Sequence, residues 1–104
     1  MRSASRPARR DPALDTLELL GQRWMLRILW ELRPGPLGFL ELRRRMDNCS
    51  SSMLSARLQQ LQANDIVAKR PDKAWELTTA GKDLGRVLDH LTQWSTKWPD
   101  SSTR

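Results

Sequence analysis

Residues 39–62 read FLELRRRMDNCSSSMLSARLQQLQ, and the break at Asp47-Asn48-Cys49 decides the fold. Before the break, Phe39, Leu42 and Met46 share one face of a short helix, with Arg43, Arg44 and Arg45 beside them. Asp and Asn end that helix because their side chains hydrogen-bond to nearby backbone and favour turns. After the break, Ser50 or Ser51 caps a second helix over residues 51–62, where Leu54, Leu58 and Leu61 form an i, i+4, i+7 stripe. Two short helices across a tight polar turn, the second amphipathic, predict a helix-turn-helix.

Upstream, Asp11-Pro12 is a helix start, an Asp cap followed by Pro at the first helical position. Leu14, Leu17, Leu20 and Trp24 then recur at helical spacing. Gly21 interrupts, and Met25, Ile28, Leu29 and Leu32 form a second apolar set that Pro34-Gly35-Pro36 stops. This first third is expected to be helical and largely buried.

Downstream, residues 66–70 and 74–77 read as short β-runs around Pro71-Asp72-Lys73, a sequence suited to a type I turn. Thr78 or Thr79 then caps a long last helix carrying Leu84, Val87, Leu88, Leu91, Trp94 and Trp98. The expected fold is mainly α with a small β-hairpin: a winged helix-turn-helix over residues 12–98, with a C-terminal dimerisation helix. Residues 1–11 and 99–104 are expected to be disordered tails.

With the leucine stripe inward, Ser52, Ala56 and Gln59 lie nearly opposite it at about 100° per residue, with Ser55 to one side. Ser and Gln both donate and accept hydrogen bonds, and the Ala56 methyl suits a thymine methyl, so this face fits base edges in a major groove. Ser51 stands at the helix start beside them.

The net charge of +6 is unevenly spread. Positive charge lies in residues 1–10, at Arg2, Arg6, Arg9 and Arg10, and again in residues 38–73, while residues 74–104 are balanced. In the middle region Arg43, Arg44 and Arg45 precede the turn, and Lys69, Arg70 and Lys73 cluster on the hairpin. Both groups suit phosphate contacts, which supply affinity without reading sequence. The competing reading for each cation is a solvated face or a snorkelling stem.

Catalysis is not expected. The chain has one His, one Cys and no Tyr, and it lacks a glycine-rich phosphate loop. His90 and Cys49 stand far apart in sequence, so no metal site or cofactor is expected. A single cysteine excludes an internal disulfide and favours a reducing compartment. No apolar run approaches the roughly 18–20 residues of a membrane span. The expected location is cytoplasmic, at the nucleoid when bound to DNA.

Four stretches carry a family resemblance. Leu20-Gly21-Gln22-Arg23-Trp24, Gly35-Pro36-Leu37-Gly38-Phe39-Leu40-Glu41-Leu42, Leu54-Ser55-Ala56-Arg57-Leu58 and Leu77-Thr78-Thr79-Ala80-Gly81 occur in order. The chain resembles the HxlR-type winged-helix regulators, relatives of the MarR group. It departs from their pattern at Gly38, where an Arg is common, at Ala56, and at Ser50-Ser51-Ser52, where a basic residue is missing. Its wing is several residues shorter, and the family's N-terminal cysteine is absent.

The resemblance implies a regulator that binds double-stranded DNA as a homodimer, joined through its first and last helices. Leu14, Leu17, Leu84, Leu88, Leu91, Trp94 and Trp98 are the expected dimerisation residues. The last helix supports this from its own composition, because it carries more large apolar side chains than one face of a small monomer hides. Completion of the monomer core is the alternative for those side chains. Two other uses stay open: a winged helix for protein contact, and a small-molecule effector in a dimer crevice lined by Trp24, Trp30 and Trp75.

Overall fold

The computed structural model describes residues 11–98, so the two tails and their arginines lie outside the described residues except for Asp11. The elements are α1 (Pro12–Leu20), α2 (Met25–Leu32), α3 (Phe39–Arg45), α4 (Ser51–Ala63), β1 (Val67–Lys69), β2 (Trp75–Leu77) and α5 (Thr79–Lys97). This is a winged helix-turn-helix with one additional long C-terminal helix.

Asp11 caps α1, its Oδ1 accepting from the Ala13 amide at 2.9 Å, with Pro12 in the first turn. The expectation that the first third is largely buried fails for this helix, which buries no residue. Leu14 and Leu17 face solvent, and only Leu19 and Leu20 pack against the core. The reason is position: α1 is a flanking arm, and the apolar centre is filled by the next helix. Met25, Ile28, Leu29 and Leu32 of α2 are all buried.

Leu42 and Met46 from α3 and its end, Leu54, Leu58 and Leu61 from α4, and Val67, Trp75 and Leu77 from the hairpin complete the core with them. Truncating one of these fully buried leucines to alanine costs about 2–5 kcal/mol. The helix-turn-helix break runs through two consecutive left-handed residues, Asp47 at φ 59 and Asn48 at φ 54, residue types that tolerate that region. Ser50 then caps α4, its Oγ accepting from the Met53 amide at 3.2 Å.

The strands pair antiparallel, with Val67 opposite Leu77 and Lys69 opposite Trp75. Both are shorter than the expected runs, although the Arg70 amide still donates to the Ala74 carbonyl at 2.7 Å beside the loop. Lys73 N–H donates to the Arg70 carbonyl at 2.8 Å, closing a turn with Pro71 and Asp72 at its centre. Lys73 follows at φ 73, so the loop is a turn plus one left-handed residue. Leu37 also bridges Trp75, each amide donating to the other's carbonyl at 3.0 and 2.8 Å. This pairing ties the Pro-Gly segment before α3 to the hairpin, and the sequence reading did not include it.

Thr78 caps α5, accepting from the Gly81 amide at 3.1 Å. Gly81, Gly85 and Leu88 are buried, and Leu84 packs beside them. Leu88 is therefore part of the monomer core and the half-buried Leu84 packs against it, a correction to their expected role as dimerisation residues. They share the helix face of the two glycines, whereas Val87, Leu91, Trp94 and Trp98 fall on another face and are exposed.

Candidate nucleic-acid interface

The burial of Leu54, Leu58 and Leu61 turns the opposite side of α4 outward, where Ser52, Ala56 and Gln59 are exposed; Ser51 lies on the leucine side and is exposed as the first residue of the helix. Ser55 is half-buried at the edge. Ser52 Oγ lies 3.1 Å from Ser50 Oγ, which orients the first turn of the face. A concave groove of about 670 Å³ runs between α4, the start of α3 and the hairpin. Ser55, Gln59 and Gln62 line one side, and Lys69 and Lys73 line the other. Two groups proposed separately for base and phosphate contacts thus share one groove.

The groove contains residues that the sequence reading missed. Gln62 lies one turn beyond Gln59 on the same side of α4, a signal the i, i+3 spacing carried. Leu40 is 69% exposed at the groove's mouth, beside the buried face of its own helix.

The basic residues divide by what they already hold. Arg43 is half-buried, and its Nε donates to the Cys49 carbonyl at 2.5 Å, fastening the turn between α3 and α4. Arg44 and Arg45 both pair with Glu41, Arg45 through Nε at 3.0 Å, and both remain exposed. Exposed pairs of this kind hold weakly and exchange readily for a phosphate. Lys69 sits with Nζ 5.5 Å from the centroid of the Trp75 ring. Arg70 lies 3.2 Å from Asp72 and 3.6 Å from Glu76, so two carboxylates offset its charge.

Asp72 holds the hairpin tip. It accepts from the Ala74 amide at 3.0 Å and from Arg70 Nε at 3.2 Å. These bonds to the charged form, the amide first and the guanidinium second, hold its carboxyl below the ordinary aspartate range.

Two more arginines tie α3 and α4 to the helices before them. Arg27 of α2 donates to the Arg45 carbonyl at the end of α3, at 2.6 Å. Arg57 of α4 donates to the Arg23 carbonyl at 3.1 Å.

The three tryptophans expected to line a crevice differ in exposure. Trp75 is core, Trp24 is half-buried, and Trp30 is exposed with the Arg33 guanidinium 3.9 Å from its centroid. No helix among the described residues is long and apolar enough to cross a membrane.

The profile of the HxlR-like helix-turn-helix family matches residues 19–103 of the chain. The chain belongs to this family. It is 30% identical over 92 residues to YvaP of Bacillus subtilis, an HTH-type transcriptional regulator, covering 83% of this chain and 85% of that one. Among solved structures, the quinone-bound YodB of B. subtilis superposes with a TM-score of 0.75 at 30% identity. That match covers 85% of this chain and 99% of YodB. A MarR-family regulator of Enterococcus faecalis shares the fold, with a TM-score of 0.75 at 21% identity, over 100% of this chain and 96% of that one. The HxlR-like match takes in the whole helix-turn-helix, the hairpin and α5.

Proposed function

We propose that this HxlR-like chain is a sequence-specific DNA-binding transcription regulator, a repressor that works as a homodimer in the cytoplasm, at the nucleoid. One observation carries the reading: α4 buries its leucine stripe completely while Ser52, Ala56 and Gln59 stand exposed, beside a groove whose far wall bears Lys69 and Lys73. Such a helix suits the major groove, where serine and glutamine side chains match base-edge donors and acceptors. Ser51, Ser52, Ser55, Ala56 and Gln59 are the reading residues. Arg44, Arg45, Lys69, Arg70 and Lys73 supply phosphate contacts, and Arg43 acts through the turn that it fastens.

The outer face of α5, with Val87, Leu91, Trp94 and Trp98 exposed, joins Leu14 and Leu17 of α1 as the dimerisation surface. Apolar side chains of this size are unfavourable in water, and a second copy covers them at no cost in charge, since the stripe itself is uncharged. A two-fold dimer presents two α4 helices, so the operator is a rough palindrome with half-sites about one helical turn apart.

The experiment is selection of bound duplexes from random-sequence DNA, followed by titration of the selected and a random duplex at several salt concentrations. A palindromic site with steeply salt-dependent binding supports the reading. Absence of binding at low salt overturns it and favours protein contact.

A further inference from the structure

Arg57 sits on α4 at the edge of the leucine stripe, one turn after Leu54 and one before Leu61, and is half-buried. Its Nε donates to the backbone carbonyl of Arg23 at 3.1 Å, across 34 positions of sequence. Its Nη1 donates to Gln60 Oε1, also at 3.1 Å, on the same helix. One planar guanidinium thus spans a side chain of α4 and the backbone of the connection between α1 and α2.

That connection is tight. Gly21 ends α1, with its amide on the Leu17 carbonyl at 2.8 Å, and a Cβ at Gly21 would stand 2.9 Å from that same oxygen. Trp24, next to Arg23, begins α2 in the left-handed region at φ 76, with no side-chain hydrogen bond to cap the helix. A large residue keeps such a conformation only when its surroundings hold it. The Arg57 bond grips the carbonyl of the peptide that enters Trp24.

We propose that Arg57 is a positioning residue that sets the rotation of α4 about its axis against the α1–α2 junction. The inference rests on the reading of α4 as the DNA-contacting helix. Three leucines anchor α4 in the core, but apolar contacts are non-directional and leave room for small rotation. A hydrogen-bonded fork is directional and removes that freedom. Ser52, Ala56 and Gln59 lie far around the helix from Arg57, so a small rotation at the clamp displaces them all. The junction is also the end of α1, whose displacement reaches α4 through this bond.

The test uses the full chain, with a duplex selected from random-sequence DNA and a random duplex as probes. Arg57→Lys keeps the charge and most of the stem but replaces the fork with a single ammonium. The expected result is a loss of about tenfold in affinity for the selected duplex, the loss that follows when one base contact is put out of place. Affinity for the random duplex and the salt slope stay as in the wild type, and the thermal melt falls only by the several degrees that loss of one intramolecular hydrogen bond brings. Arg57→Met should behave like Arg57→Lys towards the selected duplex. If it fails to fold, Arg57→Lys alone decides.

Equal weakening on both duplexes, with a salt slope shallower by about one unit in Arg57→Met, makes Arg57 a phosphate contact and overturns the proposal. Wild-type affinity for the selected duplex in Arg57→Lys overturns it as well. Gly21→Ala should lower affinity for the selected duplex in the wild type and have little further effect in Arg57→Lys. Strict additivity of the two substitutions would sink the transmission from junction to helix. A wild-type protein that prefers no sequence at all refutes instead the DNA reading on which the inference stands.

Discussion

Gly81 lies directly beneath Ile66: a Cβ on Gly81 would stand 2.2 Å from the Ile66 carbonyl oxygen and 3.1 Å from the Leu77 Cβ. The same carbonyl accepts the Thr78 amide at 3.0 Å and the Thr78 hydroxyl at 3.1 Å, so it has little freedom to retreat. This close approach explains why the Leu77-Thr78-Thr79-Ala80-Gly81 stretch ends in glycine. Gly81→Ala is expected to destabilise the fold by about 1–3 kcal/mol, the usual cost of overpacking, and urea denaturation reads it directly. A midpoint equal to that of the wild type would show that α5 can shift freely on the hairpin.

Arg44→Ala and Gln59→Ala separate affinity from discrimination. A phosphate contact is blind to sequence, so Arg44→Ala should weaken selected and random duplexes alike and make the salt slope shallower by about one unit. A base contact discriminates, so Gln59→Ala should cost about 1–3 kcal/mol on the selected duplex and little on the random one. Equal losses on both duplexes for Gln59→Ala would remove Gln59 from the reading face.

Leu91→Glu places a carboxylate in the middle of the exposed α5 stripe while leaving the core residue Leu88 untouched. Sedimentation should show a folded monomer with wild-type helix content, and binding to the palindromic duplex should fall by at least about tenfold for loss of the second half-site. A wild-type chain that is already monomeric at micromolar concentration refutes the dimer.

Cys49 is 8% exposed and belongs to the core cluster. The Arg43 clamp holds its carbonyl and not its sulfur. The thiol should therefore react slowly with a thiol reagent in the folded protein and fully after denaturation. Cys49→Ser should leave DNA binding and its response to peroxide unchanged, at a stability cost of about 1–3 kcal/mol for burying a hydroxyl. A peroxide effect that the substitution removes would make Cys49 a sensor.

Asp72 ties the hairpin tip to a particular pH window. Its carboxyl lies below the ordinary value of 3.8, so the charged form is favoured in the folded state. The stabilisation it gives is present above that value and is lost as pH falls through the lower, folded-state value. In NMR titration the Ala74 amide should move with a midpoint below 3.8, and Asp72→Asn should abolish the movement. A midpoint at or above 3.8 would contradict the assigned bonds.

The helix-turn-helix was legible because its signals are local. Asp47-Asn48 punctuates, Ser50 caps, and Leu54, Leu58 and Leu61 repeat at one period, so no distant residue is needed to read them. The face of α5 was only half legible. Leu84, Leu88 and Leu91 are chemically identical, and both sides of the helix are apolar. Which leucine turns inward depends on where Gly81 and Gly85 let the helix approach the hairpin and Arg33.

The arginine clamps were not legible at all. Arg43 and Arg57 bind backbone carbonyls, which every residue carries, so no partner residue type marks them in the sequence. The Leu37–Trp75 bridge escaped for a related reason, since a single pairing from a Pro-Gly segment has no period to detect.

The five tryptophans occupy very different surroundings in a chain that has no tyrosine. Trp75 is buried, Trp30 lies against a guanidinium, and Trp94 and Trp98 face water on the outer side of α5. Near-ultraviolet emission is therefore pure indole light, divided between a shielded population and a hydrated one. Covering the outer side of α5 moves the Trp94 and Trp98 part of the hydrated share towards the blue and leaves Trp30 in water, while contacts made at the groove reach Trp75. The molecule carries its own two-colour label: Trp94 and Trp98 would report the proposed dimer, and Trp75 the proposed DNA-facing groove.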